Sequence, residues 1–385
     1  MPEIVHVVGA RPNFVKIAPI IAALRAWPAI TQRLVHTGQH YDERMAGVFF
    51  AELGLPRPDH DLHVGSGSHA DQTAAILVRF DAVLARTRPD MVVVVGDVNS
   101  TLAAALAAAK RGVPVAHVEA GVRSFDRTMP EEINRVLTDQ LSTLLFAPDE
   151  DAAANLRREG LPDTAISVVG NVMLDTLAAH RDRLAWPIAG LDPPLVAGGY
   201  AVLTLHRAAN VDEPDRLRGL LSRLDPIAAT MPVVFPVHPR TRARLAETAG
   251  ALPDGLRPIE PLGYPAFLSL MAHAACVVTD SGGIQVETSA LGVPCFTVRD
   301  TTEWPGTLSH GTNRLVGRDA AGLATAFRSL GSATRASRPG GADHGGASGR
   351  IAAILSRHLG ERPQPPDRVA RHTVPARLRP RRRPR

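Results

Sequence analysis

Lysine is almost missing from this chain: of 43 basic side chains, only Lys16 and Lys110 are lysine. Arginine fills the generic basic positions, so a lysine kept close to Arg11 marks a place that calls for a compact ammonium. Lys110, ahead of "RGVP" at an expected helix end, takes the ordinary favourable seat of a cation at a helix C-terminus. Cysteine is as scarce. Cys276 and Cys295 each lie inside an apolar run, which reads as core burial and speaks against a thiolate metal site. His60 and His63, in "PDHDLHV", have no third ligand at metal spacing, so neither a metal nor a cofactor is expected. No apolar run reaches the roughly 18 residues of a membrane helix, and no membrane contact is expected. The opening "MPEIVHVVGARPNF" has no basic leader before its first strand, which argues against a secretory signal and for a cytoplasmic protein. No G-x-G-x-x-G follows a strand, and "GARPNF" is not a phosphate-loop lysine motif. A dinucleotide site of the usual kind is disfavoured.

What is present is ordinary globular material, 385 residues with 45% hydrophobic and 21% charged side chains, enough for two domains. The net charge of +5 is unevenly spread. Residues 331–385 hold 13 Arg against 3 acids, which leaves 30 basic and 35 acidic groups in the other 330 residues. The end of this tail, "RHTVPARLRPRRRPR", mixes Arg with Pro without an apolar period and reads as a disordered extension. Only that tail offers a surface to nucleic acid, which is not an expected partner.

Short apolar runs alternate with helical patterns almost from end to end. In the first half "EIVHVVGA", "RLVHTG", "MVVVVGD", "VPVAHVEA", "LLFAP" and "SVVGN" read as strands. Helices are expected over Phe14–Ala26, about Asp42–Leu53 and about Ala70–Arg86, and from Thr101, Pro130 and Glu150 onward. Unbroken β-branched runs fit strands buried on both faces of a parallel sheet. Their alternation with helices fits right-handed βαβ units. A weaker stretch at about 172–199 reads as a connector. The pattern then restarts with "YAVLTLH", "PVVFPVH", "LRPIEP", "ACVVTD" and "VPCFTV", and closes on the helix "SGRIAAILSRHL". The expected fold is α/β, two doubly wound Rossmann-like domains facing a cleft. Residues 1–171 form the first and 172–347 the second; 348–360 is a helix packing back on the first, and 361–385 a disordered tail.

Polar residues and glycines collect where the strands end, which is where ligands of such sheets bind. The first half contributes Gly9 to Asn13 with Lys16, Gly96-Asp97, and Glu119 to Gly121 with Arg123. The second contributes His206, Arg207, His238 and the stretch Asp280 to Gly283. A glycine-flanked helix start with free N–H groups is an anion site. With Arg11, Lys16, Arg207 and His238 facing it, the best-fitting ligand is a nucleotide diphosphate. Three acids keep a second reading. Asp97 fits a cap for the helix after "NST". Glu131, with Thr128 and Pro130, fits a capping box. Glu287 fits a solvated helix position.

In order along the chain, "GARPNFVKIAPI", "TGQHYD", "GDVNSTLAAALAA", "HVEAGVRS", "MPEEINR", "VVGN", "LHRAANVD", "PVHPRT" and "TDSGGIQVETSALGVPCFTVRDTTEWP" resemble the non-hydrolysing UDP-N-acetylglucosamine 2-epimerases. The resemblance runs from about residue 4 to 360. It implies the B-type glycosyltransferase-like fold, a homodimer, a place in polysaccharide biosynthesis, and interconversion of UDP-GlcNAc and UDP-ManNAc. It also implies a mechanism: elimination of UDP to 2-acetamidoglucal, then re-addition to the other sugar face. By motif, Asp97, Glu119, Glu131 and His206 are the implied acid–base groups, with Lys16 beside them. Arg11, Arg207, His238, Leu262, Phe267, Ser281, Gly282, Gly283 and Glu287 are the implied nucleotide-sugar contacts. Phe267 would pack near the uracil, Leu262 would contribute backbone, and Glu287 would accept from the ribose hydroxyls.

Four positions depart from the best-known members: Asn13, Leu205, Val286 and Trp304 stand where those have Glu, Gly, Glu and Arg. The last exchange removes a cation near the diphosphate or sugar. The loop "VGSGSHADQT" lacks the arginine of a second, activating substrate site, so such regulation is not expected. Three rivals stand beside this reading: a glycosyltransferase of the same architecture, a hydrolysing epimerase releasing ManNAc and UDP, and an inactive nucleotide-sugar sensor.

Overall fold

The computed structural model describes residues 1–39, 43–188, 191, 194–237, 239–247, 252–332 and 345–360. Among them the strands form two sheets. The first contains β1 (Glu3–Val8), β2 (Thr31–His36), β3 (His60–Asp61), β4 (Met91–Val95), β5 (Val115–Val118), β6 (Leu144–Ala147) and β7 (Ile166–Val168). The second contains β8 (Ala201–Thr204), β9 (Val233–Pro236), β10 (Leu256–Ile259), β11 (Cys276–Thr279), β12 (Cys295–Thr297) and β13 (Asn313–Leu315). Their orders are β3-β2-β1-β4-β5-β6-β7 and β10-β9-β8-β11-β12-β13. Every pairing is parallel.

The apolar runs explain the layering. In β4, Met91, Val93 and Val95 enter one core cluster while Val92 and Val94 enter the cluster on the opposite face. A strand covered by helices on both sides needs apolar residues at every position, each worth roughly 1.5–3 kcal/mol on burial. The larger cluster runs on through Val202, Val234 and Val277 of the second sheet, so apolar packing joins the two halves. Cys276 and Cys295 are buried and free.

Each sheet reverses its strand order once, between β1 and β4 and between β8 and β11. A crevice opens at such a reversal, beyond the carboxyl ends of the strands. The segments leaving those four strands are Gly9–Arg11, Gly96–Asp97, Leu205–Arg207 and Asp280–Gly283.

Local chemistry moves several boundaries. The helix expected from Phe14 is Arg11–Leu24. Pro12 lies in its first turn, where a missing N–H costs nothing. Asn13 Oδ1 accepts from the N–H groups of Gly9 (3.0 Å) and Ala10 (3.1 Å), and its Nδ2 donates to Val95 O at 2.9 Å. One buried amide thus ties the ends of β1 and β4 together. The stretch read as a connector contains the helix Val172–His180, capped by Asn171. It packs against both Arg11–Leu24 and Gly282–Leu291, and Thr176 donates to Val15 O at 2.6 Å. The helix Ala347–His358 lies against Arg11–Leu24. Its start is held by Asp175, which accepts from the N–H groups of Gly346 (2.8 Å) and Ser348 (2.6 Å). Among the described residues no helix is long and apolar enough to cross a membrane.

Candidate active site

The first sheet delivers two acids and two cations to its reversal point. Lys16, buried in the helix after β1, donates to Glu119 at 2.7 Å. Glu119 follows β5 with φ at +73°, in the left-handed region that costs a non-glycine residue about 1–2 kcal/mol. The N–H groups of Glu119 and Ala120 both donate to Phe146 O at 3.1 Å, which holds that backbone in place. Asp97 follows β4 and receives Arg135 at 2.6 Å. Arg135 also meets Glu132 at 2.7 Å and, across the cleft, Glu303 at 3.8 Å. Gly96, beside Asp97, has φ at +68° and passes so close to Lys16 that a Cβ there would sit 2.9 Å from Nζ.

The two acids are driven apart. Burial works to raise the Asp97 carboxyl, yet the charges of Arg135 and Lys16 outweigh it and hold it below the usual carboxylate range. Burial raises Glu119 as well; there Lys16 opposes, the charge of Asp97 adds, and the net shift is upward. Such a separation is the usual mark of a base and an acid sharing one site.

The second sheet brings its own pair. Asp280, fully buried at the end of β11, faces His206 Nδ1 at 3.0 Å and accepts from Arg207 N at 3.0 Å. Arg207 Nε donates to Asp280 O at 2.8 Å, and its Nη2 reaches Glu303 at 3.7 Å. The helix Gly282–Leu291 begins beside them. The first N–H groups of this helix, on Gly282 and Gly283, have no acceptor among the described residues. Ser281 N donates to Thr279 Oγ1 at 3.0 Å. A Cβ on Gly282 would collide with the Glu303 carboxylate, and one on Gly283 would lie 2.8 Å from Met173 Cε. Glycine here is a space requirement. Glu303 is met by Arg299 at 2.6 Å. Burial would raise its carboxyl, but Arg135, Arg299 and Arg207 hold it down at about 2. Four buried polar atoms in this region, Glu119 Oε2, Arg135 Nε, Arg299 Nη1 and Glu303 Oε2, have no hydrogen-bond partner among the described residues, the last being ion-paired with Arg299.

Further along the cleft lies a second group. Arg11 donates to Leu262 O at 3.2 Å and stacks over Phe49, with Cζ 4.1 Å from the ring centre. Burial lowers its guanidinium to about 10, against the pull of Glu287, Glu52 and Tyr264. Glu287 is buried and accepts from the Tyr264 hydroxyl at 2.9 Å. Burial lifts its carboxyl to about 7, against the Tyr264 hydrogen bond and Arg11. Glu52, from the first half, accepts from Tyr264 N at 2.8 Å. Phe267 is half-buried against the main core cluster.

The structure therefore brings Lys16, Asp97, Glu119 and Arg207 into one charged region, and Arg11, Leu262 and Glu287 into another. His206, Ser281, Gly282 and Gly283 follow strands β8 and β11 of the second sheet. Glu131 is partly exposed and has no hydrogen-bond or ion-pair partner among the described residues. His238 lies outside the described residues. Three bland readings fall. The helix after Asp97 is capped at Val98 without a side-chain bond, because Asp97 is engaged by Arg135. The capping box at Thr128 is absent, since Met129 is the cap and Thr128 Oγ1 donates to Asp126. Glu287 is buried, so it is no solvated helix position.

The residues that sequence reasoning missed are Glu132, Arg135, Arg299, Glu303 and Tyr264. Two signals were available, Glu132 three before Arg135 and Arg299 four before Glu303, both ordinary helix-like pair spacings. Trp304 replaces the expected arginine, and it is buried in a cluster with Val286, Ala120 and Val122. There Trp304 and Val286 pack together against apolar residues of the first half.

The comparisons with known proteins agree with one another. A sequence model of the family described as UDP-N-acetylglucosamine 2-epimerase matches residues 22–356. The chain is 45% identical over 325 residues to the UDP-N-acetylglucosamine 2-epimerase of Methanocaldococcus jannaschii, covering 81% of this chain and 87% of that one. It is 42% identical over 362 residues to the UDP-2,3-diacetamido-2,3-dideoxy-D-glucuronate 2-epimerase of Pseudomonas aeruginosa, covering 92% and 99%. The crystal structure of the Methanocaldococcus jannaschii UDP-GlcNAc 2-epimerase with UDP-GlcNAc and UDP superposes with a TM-score of 0.85 at 42% identity, covering 92% of this chain and 99% of that one.

Proposed function

The chain belongs to the UDP-N-acetylglucosamine 2-epimerase family, and on that premise we propose that it interconverts UDP-GlcNAc and UDP-ManNAc without net hydrolysis. The observation that carries this reading is the meeting, at the two strand-order reversals, of split acids from one sheet with cations and a free helix start from the other. The C2 hydrogen is not α to a carbonyl, so its removal requires a leaving group. As a base takes that proton, the C–H electron pair forms the C1–C2 double bond of 2-acetamidoglucal, and the C1–O bond breaks with its electrons going to UDP. UDP then adds back to C1, and a proton is delivered to C2 from the face opposite to the one it left, which completes the inversion at C2.

In this reading Asp97, kept ionised by Arg135, is the base, and Glu119, raised by burial, holds and returns a proton. Each such group contributes roughly 10²–10⁴-fold. His206 serves the same chemistry from the second sheet, and Glu131, partly exposed, is the fourth acid–base candidate. Lys16, Arg207 and the helix start at Ser281, Gly282 and Gly283 stabilise the departing diphosphate. Arg11, Leu262 and Phe267 hold the nucleoside, and Glu287 accepts from the ribose hydroxyls. The domain division at residue 171, with the last helix returning to the first half, belongs to the same proposal. So does a homodimer. Its contact face would be the groove of about 450 Å³ between the helices His69–Thr87 and Pro130–Leu141, lined by Leu77 and the exposed Ile133.

The test is incubation with UDP-GlcNAc in D₂O, followed by NMR. Expected are UDP-ManNAc and deuterium at C2 in both sugars, with no accumulating free sugar. Free ManNAc in proportion to UDP would move the chain to the hydrolysing reaction, and an unchanged C2–H would end the proposal. One observation favours a second substrate. Arg299 Nη1 is a buried cationic donor without a partner among the described residues, suited to a sugar carboxylate. That matches the likeness to the diacetamido-glucuronate enzyme, and a side-by-side assay with that sugar nucleotide decides between them.

A further inference from the structure

We infer that Asp280 is a positioning residue for this reaction: its carboxylate fixes the proton of His206 on Nδ1 and leaves the Nε2 lone pair directed into the cleft. The inference rests on the proposed epimerase reading only for what Nε2 then does.

The parallel register sets up the contact. Thr279 of β11 lies opposite Thr204 of β8, and their hydroxyls meet at 2.7 Å. One step on, Asp280 faces the turn where β8 becomes the short helix Ala208–Val211. Oδ2 accepts from Arg207 N (3.0 Å) and Asn210 Nδ2 (3.0 Å), while Oδ1 faces His206 Nδ1 at 3.0 Å. His206 N is shared between the two oxygens at 3.3 and 3.2 Å.

A carboxylate has only lone pairs to offer. If Nδ1 also presented a lone pair, two acceptors would face each other 3.0 Å apart, one of them a carboxylate that is fully buried. Nδ1 must therefore carry hydrogen, and in the neutral ring the free lone pair is on Nε2. Nε2 has no partner among the described residues, and the side chain is 46% exposed at the cleft while Asp280 is fully buried. Burial would raise the Asp280 carboxyl, but His206, Asn210 and Arg207 N hold it well below the carboxylate range, so it stays an acceptor. The backbone carbonyl of the same residue receives Arg207 Nε at 2.8 Å. One residue thus holds both His206 and Arg207, whose guanidinium reaches Glu303.

The amide of Asp280→Asn has one oxygen, and two donors, Arg207 N and Asn210 Nδ2, compete for it on the Oδ2 side. The amide nitrogen is then left facing His206 Nδ1, which must become an acceptor. Two-bond ¹⁵N–¹H correlation spectra of the full-length protein, with His206 assigned by its loss in His206→Gln, read this directly. Expected is a neutral wild-type ring protonated at Nδ1, shifting to Nε2–H in Asp280→Asn. The kcat of that variant falls roughly 10²-fold, while KM for the UDP-sugar changes less than about threefold. Asn210→Ala removes one Oδ2 donor but keeps the carboxylate, and it should retain the Nδ1–H form. A wild-type ring protonated at Nε2, or a tautomer unmoved by Asp280→Asn, overturns the inference. If that variant does not fold, the wild-type and Asn210→Ala spectra still decide. Full activity in His206→Gln would remove His206 from the proposed mechanism and leave the tautomer result standing.

Discussion

Two buried clusters of the cleft, one around Arg135 and one around Tyr264, handle carboxylates in opposite ways. Around Arg135, the acids Asp97, Glu132 and Glu303 share a guanidinium that is itself almost wholly buried, and Asp97 and Glu303 are held below their usual range. Around Tyr264, Glu287 has a phenol and a more distant arginine, and its carboxyl rises to about 7. Burial acts on both. What differs is the Arg135 guanidinium. It keeps Asp97 and Glu303 ionised, while Glu287, without it, shifts upward, as does Glu119, whose contact cation is Lys16.

The sharpest way to break that contrast is Arg135→Met. It leaves three acids without their shared partner, and removing one member of a buried ion pair costs about 3–5 kcal/mol. Urea unfolding should show that loss, and turnover should fall roughly 10²–10⁴-fold as Asp97 ceases to be held ionised. Arg135→Lys should recover part of the stability but less of the turnover, since an ammonium cannot meet Asp97 and Glu132 with a fork. Equal turnover in wild type and Arg135→Met would remove the guanidinium from the chemistry.

The next effect is in pH. Glu303 is lower in the folded chain, about 2, than in the unfolded chain, whose ordinary value is 4.5. Its stabilisation is present above that ordinary value and is lost as pH falls toward 2. Glu287 runs the other way, from 4.5 unfolded to about 7 folded. It costs nothing below 4.5, and a penalty grows as pH rises to about 7, on the order of 3 kcal/mol at 1.36 kcal/mol per pKa unit. In thermal unfolding without ligand, Glu287→Gln should therefore gain stability above pH 7 and match wild type near pH 4. Glu303→Gln should lose stability at neutral pH and converge with wild type in acid. Parallel curves for the two variants would erase the distinction between the regions.

The same contrast explains what the sequence disclosed. Strands β1, β4, β5, β8 and β11 are mostly apolar runs, and the residues just past them, from Asp97 to Gly283, were visible because a strand end followed by polar or glycine residues has few other causes. Strands β3 and β13, two and three residues at sheet edges, carry no apolar run and were not foreseen. Arg135 was hidden for another reason. Its spacing from Glu132 is that of any surface helix pair, and nothing local says that the helix buries that face against a turn from the other half. Tyr264 and Glu287 lie 23 residues apart with a strand between them, so their contact is a product of packing alone. The acids could be read one by one, but their ionisation could not, because partners distant in the chain set it.

The smallest expected effect tests the second region most finely. Tyr264→Phe removes one hydroxyl and leaves the ring packed, at a stability cost of about 1 kcal/mol. That hydroxyl lowers the Glu287 carboxyl against the pull of burial, so without it the acid moves further above 7. The phenol itself is pushed up by burial and by Glu287, so it remains a neutral donor across the working range. In the proposed binding mode the ribose hydroxyls require the ionised form of Glu287. KM for the UDP-sugar should then rise a few-fold at pH 7 in Tyr264→Phe and return toward wild type near pH 9, where Glu287 ionises. Arg11, lowered only to about 10, still carries its charge there. A KM raised equally at both pH values would mean that the hydroxyl matters for packing, and that Glu287 is not tuned by its neighbour.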